Sequence, residues 1–379
     1  MLEPDQNVAM QEATMGNTNA RRDVQLERFA RALASAITEK EVRMLIKEEA
    51  NRQFDGDYDI LFRKLKDEQT GNGKVLNVLA RHLSALEKSP SFANPENELN
   101  SLSADVPLLN IAVPIHMDKW DAAQYTPLVA VVPSNFDEKT TERVKAFDQH
   151  GKVTWLSVKA MPDMPVIVVG LNERVVYEDG TFAMKDYLVD DNMVHYVMPD
   201  ELVLEPGDGG GGGGGGSTGT SSSWTCRIDG KTDYLTGMWF KDISEYEAWI
   251  LGKPEVVLKI KNPYNQGEIG HHRYKEERSK FDNTWFNTNS YLYPWDINMV
   301  SDAVGYLWYE DDGGFEIEIE QTINYKVFGI GQSTKVKYKL KNDDDIIGLT
   351  TIGLSHCPST GYYTLGGGSM EFRFKLKSI

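Results

Sequence analysis

The residues best suited to chemistry are two carboxylate-rich stretches, Glu310-Asp311-Asp312-Gly313-Gly314 and Asp343-Asp344-Asp345-Ile346-Ile347-Gly348. Each follows a strand-like run, Leu307-Trp308-Tyr309 in one case and Lys335–Leu340 in the other. Carboxylates gathered in loops repel one another unless they are solvated or bridged by a cation. A hard ion that takes roughly six to eight oxygen ligands, calcium above all, is the natural bridge. The candidate ligands are therefore Asp311, Asp312, Asp343, Asp344 and Asp345, against the alternative of two plain acidic turns.

Other constellations carry less. Asp55-Gly56-Asp57-Tyr58-Asp59 looks like the start of an EF-hand loop, but its sixth and twelfth positions hold Ile60 and Lys66 instead of Gly and Glu. A helix-capping turn is the better reading. His271-His272 stand near Glu276 and Glu277, yet neighbours in a strand point to opposite faces. Ser355-His356-Cys357 holds nucleophile and base types, but a triad is assembled from separated segments and no Gly-x-Ser-x-Gly elbow surrounds it. No His-Glu-x-x-His motif occurs, and no residue is assigned a catalytic role. His116, Asp118 and Glu173 would be the residues to converge if the protein were a hydrolase. Trp285, Tyr291, Tyr293 and Trp295 could form a sugar-stacking platform, although tryptophan in a sandwich is more often core.

The cysteines number two, Cys226 and Cys357. A bridge between them would close most of the C-terminal half and needs an oxidising compartment; two buried thiols are the alternative. No cofactor other than calcium is implied.

The elements that must position these groups divide at a run of eight glycines, Gly209–Gly216, set in a Gly/Ser linker over 206–223. Such a segment reads as a tether reaching about 20–25 Å. Of the net charge of −17, residues 224–379 carry −4, from 18 basic and 22 acidic residues, so the first half is the strongly acidic one. Six of eight Trp and 12 of 17 Tyr also follow the linker. The overall acidity argues against nucleic acid as a partner, and no apolar run is long enough to span a bilayer.

The spacing predicts an α+β protein of several domains. Residues 1–19 read as a disordered polar leader without basic or apolar signal regions, which fits either an intracellular protein or a mature exported one. Residues 20–100 read as helices, with Thr38-Glu39-Lys40-Glu41 as a capping box and a third helix running through Ile60, Leu61 and Leu65. Residues 101–205 read as a small, mostly antiparallel β domain whose short apolar runs are bracketed by prolines. Residues 224–379 read as an all-β sandwich, from seven or more short strands including Val256–Ile260, Val304–Tyr309, Lys335–Leu340 and Met370–Leu376.

The strand followed by Asp343-Asp344-Asp345-Ile346-Ile347-Gly348 resembles the C2-domain pattern, in which loop aspartates hold calcium and attach the domain to membranes or partners. The motif is six residues long, and Lys341 and Asn342 stand where that family would place further carboxylates. The chain also looks like uncharacterised surface lipoproteins of Gram-negative bacteria, through its helical N-terminal part, Pro165–Arg174 and Trp249-Ile250-Leu251-Gly252-Lys253-Pro254-Glu255. Together these imply a non-catalytic secreted or cell-envelope protein whose C2-like sandwich binds calcium, a protein partner, a glycan or a membrane surface. A secreted hydrolase with the sandwich as targeting module, or a self-assembling structural subunit, are the alternatives, and a cytoplasmic location is the alternative to export.

Overall fold

In the computed structural model the described residues are 6–87, 94–178, 180–184, 227–297, 301–312, 316–327, 329–341, 344–365 and 371–379. The glycine run, Cys226 and Asp343 lie outside them. The protein is α+β, with helices at the N-terminal end and mostly antiparallel strands elsewhere. It divides into two units: Met1–Asp190 with Ala248–Lys253, and Asp191–Glu247 with Pro254–Ile379.

The first unit contains α1 (Gln6–Ala36), α2 (Lys40–Ala50), β1 (Asp59–Leu61), α3 (Phe62–Leu65), β2 (Gln69–Thr70), β3 (Gly73–Lys74), α4 (Val75–Glu87), α5 (Pro95–Asp105), β4 (Leu109–Ala112), β5 (Leu128–Val131), β6 (Arg143–Phe147), β7 (Val153–Ser157), β8 (Val166–Leu171), β9 (Val175–Glu178) and β10 (Thr181–Met184). Six of its strands form one sheet in the order β1-β4-β8-β5-β6-β7, antiparallel except for the β5–β8 pair. Leu26, Phe29, Leu33, Ile46 and Leu79 of the helices share a single core with Leu109, Ile111, Val129, Val131, Ile167 and Val169 of the sheet. The helical region and the β region, separable by composition, thus fold around one core.

Three local expectations differ from what forms. The first helix begins at Gln6, inside the stretch read as leader, because Ala9, Met10, Gln11, Glu12 and Ala13 are strong helix formers. The capping box is not made: Thr38 Oγ1 donates back to Ser35 O at 2.7 Å, and Glu39 is the N-cap without a side-chain capping bond. Glu39 is instead drawn to Arg81, His82 and Asn72. Ile60 and Leu61 lie in a strand, not a helix, because pairing with β4 satisfies their backbone.

The sheet's other face explains why its strands read as unbroken apolar runs. Side chains alternate, so Ala112, Ala130, Val144, Ala146, Val166 and Val168 point away from the helices. That face is covered by Ala248–Leu251, with Trp249 fully buried. Three alanines among these positions leave room for the indole, whose Nε1 donates to Ser157 O at 2.8 Å. Both faces are buried, and such strands lose their polar alternation. The strap ends on Lys253, whose Nζ bonds Gln53 Oε1 at 2.9 Å and lies over the Tyr58 ring.

The second unit contains β11 (Thr232–Phe240), β12 (Glu255–Lys261), β13 (Glu268–Lys275), α6 (Arg278–Phe281), β14 (Trp285–Pro294), β15 (Ala303–Glu310), β16 (Glu316–Val327), β17 (Ile330–Lys341), β18 (Asp345–Gly353), β19 (Tyr363–Leu365) and β20 (Phe372–Ser378). Two four-stranded sheets, β14-β11-β20-β19 and β13-β12-β15-β18, face each other as a sandwich. Leu235, Met238, Phe372 and Phe374 of one sheet meet Leu258, Ile260, Tyr306 and Trp308 of the other. The β16–β17 hairpin covers the outer face of the second sheet through Ile323, Tyr325, Val336 and Tyr338. Gly305 permits that approach, since a Cβ there would stand 2.4 Å from the Tyr338 hydroxyl. Every residue of β15 is consequently buried.

The strap yields the first prediction. Trp249→Ala empties the pocket made by the three alanines and should cost about 3–5 kcal/mol in urea unfolding of the full chain. A loss below about 1 kcal/mol would mean that the indole does not fill a core site.

Candidate functional site

The most unusual chemistry stands where β15 ends. Alternation along β15 puts Glu310 on the same inner face as Tyr306 and Trp308, where an apolar residue would be expected. Glu310 is 1% exposed. Its Oε1 accepts the backbone N–H of Glu255 at 2.8 Å, while Oε2 is buried without a hydrogen-bond partner. Ligand oxygens of Glu247, Glu310 and Asp312 lie within 4.8 Å of one another. Glu247 reaches this place from the turn after β11, with its carbonyl held by Arg278 Nη1 at 2.7 Å and its carboxylate 3.8 Å from Arg278 Nη2.

Burial pushes the Glu310 carboxyl well above the ordinary range, and the Asp312 and Glu247 carboxylates push it further in the same direction. Two carboxylates can face each other in a dry site only with a proton or a cation between them. All three groups offer oxygen, with no His or Cys among them, so the set suits a hard divalent ion.

The expected ligands are distributed differently. Asp312 joins Glu247 and Glu310. Asp311 pairs with Arg273, which also bonds Glu255 at 2.9 Å; burial nevertheless raises the Asp311 carboxyl, against the pull of Arg273. Asp344 is spent on backbone, accepting the amides of Lys341 at 2.8 Å and Asp312 at 3.1 Å. Asp345 opens β18 opposite Glu310, and Asp343 lies outside the described residues. Of the expected ligands, Asp311 thus has a guanidinium partner and Asp344 two backbone amides. Glu247 was missed because it is far away in sequence; Glu310 heads one of the acidic stretches but was not counted as a ligand, because its inward-facing place at the end of β15 is set by the fold.

The remaining candidates resolve plainly. Cys357 is disulfide-bonded, which removes it as a nucleophile; Cys226, the one other cysteine, lies outside the described residues. Arg227, next to it, is buried against Asp233 at 2.6 Å and also donates to His356 O. His116 Nε2 meets Pro162 O at 2.9 Å, and Asp118 and Glu173 are exposed. None of these three belongs to a cluster of His, Cys or carboxylate groups among the described residues. Burial, and then His271, drive the His272 imidazole down to about 4, so it is neutral at physiological pH.

Asp55, Asp57 and Asp59 cap no helix; Asn172 Nδ2 donates to Asp55 at 2.6 Å and to Asp59 at 3.0 Å, and Arg174 pairs with Asp57 at 2.5 Å. Of the sugar-platform residues, Trp295 and Tyr293 are core, while Tyr291 is exposed and Trp285 half-buried. No helix among the described residues is long and apolar enough to cross a membrane.

Glu310 sets a pH dependence. Its carboxyl is raised in the folded state, so the folded protein holds this proton more tightly than the unfolded chain. Below the unfolded value of 4.5 the group exerts no penalty; as pH rises from there toward the folded value, stability falls. In EDTA, melting temperature should thus decline between pH 5 and 8 more steeply for wild type than for Glu310→Gln. Parallel profiles would show that Glu310 does not titrate across folding.

In comparison with known proteins, a family model described as a protein of unknown function, DUF3103, matches residues 31–261. No curated protein matches, and no solved structure matches.

Proposed function

We propose that this chain, which belongs to the DUF3103 family, is a non-catalytic secreted or cell-envelope protein whose C-terminal sandwich binds calcium. The ion would sit between Glu247, Glu310 and Asp312. The observation that carries this reading is the unpartnered, buried Glu310 Oε2 beside two further carboxylates. A cation there replaces the proton that burial otherwise forces onto Glu310. Calcium is favoured over magnesium because carboxylates of mixed burial form an irregular oxygen set, which the larger ion tolerates better.

The binding role follows from where the ion sits. Asp312 is only half-buried, at the rim where β15 ends. A bound ion there could complete its shell with an oxygen from a protein partner, a glycan or a membrane headgroup. The likeness to C2 domains supports this use of strand-end carboxylates, and the likeness to bacterial surface lipoproteins supports export. The disulfide at Cys357 supports an oxidising compartment, and Cys226 is its proposed partner.

The direct test is thermal melting with and without calcium at neutral pH. A ligand at about one hundred times its Kd adds about 2.7 kcal/mol to a fold that alone can bind it. Millimolar calcium should raise the wild-type melting temperature by several degrees, and should leave Glu310→Gln unmoved. No shift in the wild type would end the calcium reading. Separately, reduction should destabilise the protein by about 2–5 kcal/mol, and an unchanged melt in dithiothreitol would remove the support that the disulfide gives to export.

A further inference from the structure

The outer face of the first sandwich sheet carries a second ordered arrangement, away from the carboxylates. Cross-strand register through β14, β11 and β20 lines its residues up in three rows: Trp285–Trp239–Arg373, Asn287–Gly237–Lys375 and Tyr291–Tyr234–Lys377. Every row ends on a cation of β20. Alternation sends Phe372, Phe374 and Leu376 into the core and the three cations outward, about 6–7 Å apart along the strand.

The rings hold these cations in place. The Arg373 guanidinium lies 4.4 Å from the Trp239 ring centroid and 5.0 Å from that of Tyr362. The Lys375 ammonium lies 4.1 Å from the Trp285 ring centroid. That reach crosses Gly237, where a Cβ would meet Trp285 Cε3 at 3.4 Å; the missing side chain leaves the slot open. Tyr234 and Tyr291 pack edge to face at 5.8 Å beside Lys377. Glu371 occupies one edge of Arg373 at 2.6 Å. No carboxylate among the described residues pairs with Lys375 or Lys377. In a chain of net charge −17, a row of aromatic-backed cations, two of them without a carboxylate partner among the described residues, has its natural complement in an anion.

We propose that this face binds an acidic polysaccharide, with Lys375, Lys377 and Arg373 meeting carboxylate or sulfate groups and the flanking rings meeting sugar C–H faces. A cation already held over a ring loses little freedom on binding, which favours the complex. A sheet face that carries aromatic rings in successive rows suits an extended chain of sugars. A bilayer calls instead for apolar tips that project into it. The proposal extends the surface-binding reading given above, but it uses a different face of the sandwich from Glu310.

The test uses the full-length protein in EDTA and low salt, so that the carboxylate cluster plays no part. Native gels cast with polygalacturonate, heparin or neutral dextran should show retardation by at least one of the acidic polymers and none by dextran. Lys375→Gln with Lys377→Gln should weaken that binding about tenfold or more, with an unchanged melting temperature. Trp285→Ala should weaken it as well. The proposal is overturned if neither acidic polymer retards the wild type, if dextran retards it equally, or if the double variant binds as wild type does. It is equally overturned if only phosphatidylglycerol vesicles bind. Retardation that appears only when calcium is restored would contradict this proposal while leaving the cation reading intact.

Discussion

A carboxylate placed where a core residue belongs must be neutralised, and that requirement governs the second unit. Glu310 ends a strand whose preceding inner-face residues, Tyr306 and Trp308, are wholly buried. The strand has no free face to turn it toward, because the β16–β17 hairpin closes the other side. One oxygen takes an amide from Glu255, and the other faces Glu247 and Asp312. A protonated acid pair and a cation-bridged cluster are the two physical solutions, and they exclude each other. The site is therefore a competition between protons and a divalent ion.

The neighbouring charges show what the same protein does when it only needs stability. Arg273 serves Glu255 and Asp311, and Arg227 serves Asp233 in full burial. Asp344 is tied to two backbone amides. Each of these acids has a donor of its own. Asp233 Oδ1 and Glu310 Oε2 are both buried without a donor, but Asp233 lies against the Arg227 guanidinium whereas Glu310 lies against two further carboxylates, and that makes Glu310 the costlier case.

Much of the architecture was legible from local pattern. The alternation Glu316-Ile317-Glu318-Ile319-Glu320 gave a strand with one wet face, and its glutamates do meet Lys339, Lys337 and Lys335 across the hairpin. Prolines and short apolar runs marked the strands of the first unit, and the sandwich was readable from strand spacing. What escaped was non-local. The helices and the sheet of the first unit read as separate regions, because a shared core leaves no mark in spacing. Trp249-Ile250-Leu251 stood out as a segment, but its partners Ala112, Ala130 and Ala146 are more than a hundred residues earlier. The family match over residues 31–261 includes this strap. The site failed to show for the same reason: Glu247 and Glu310 meet only in the fold, whereas two of the conspicuous aspartates, Asp311 and Asp344, have donors nearby.

The central claim is that calcium and a proton compete for Glu310. Calorimetric calcium titration near pH 7, repeated in buffers of different ionisation enthalpy, measures that competition directly. The account predicts that about one proton leaves per ion bound and that this release vanishes in Glu310→Gln. Calcium heats that are independent of the buffer, or no binding at all, would contradict it.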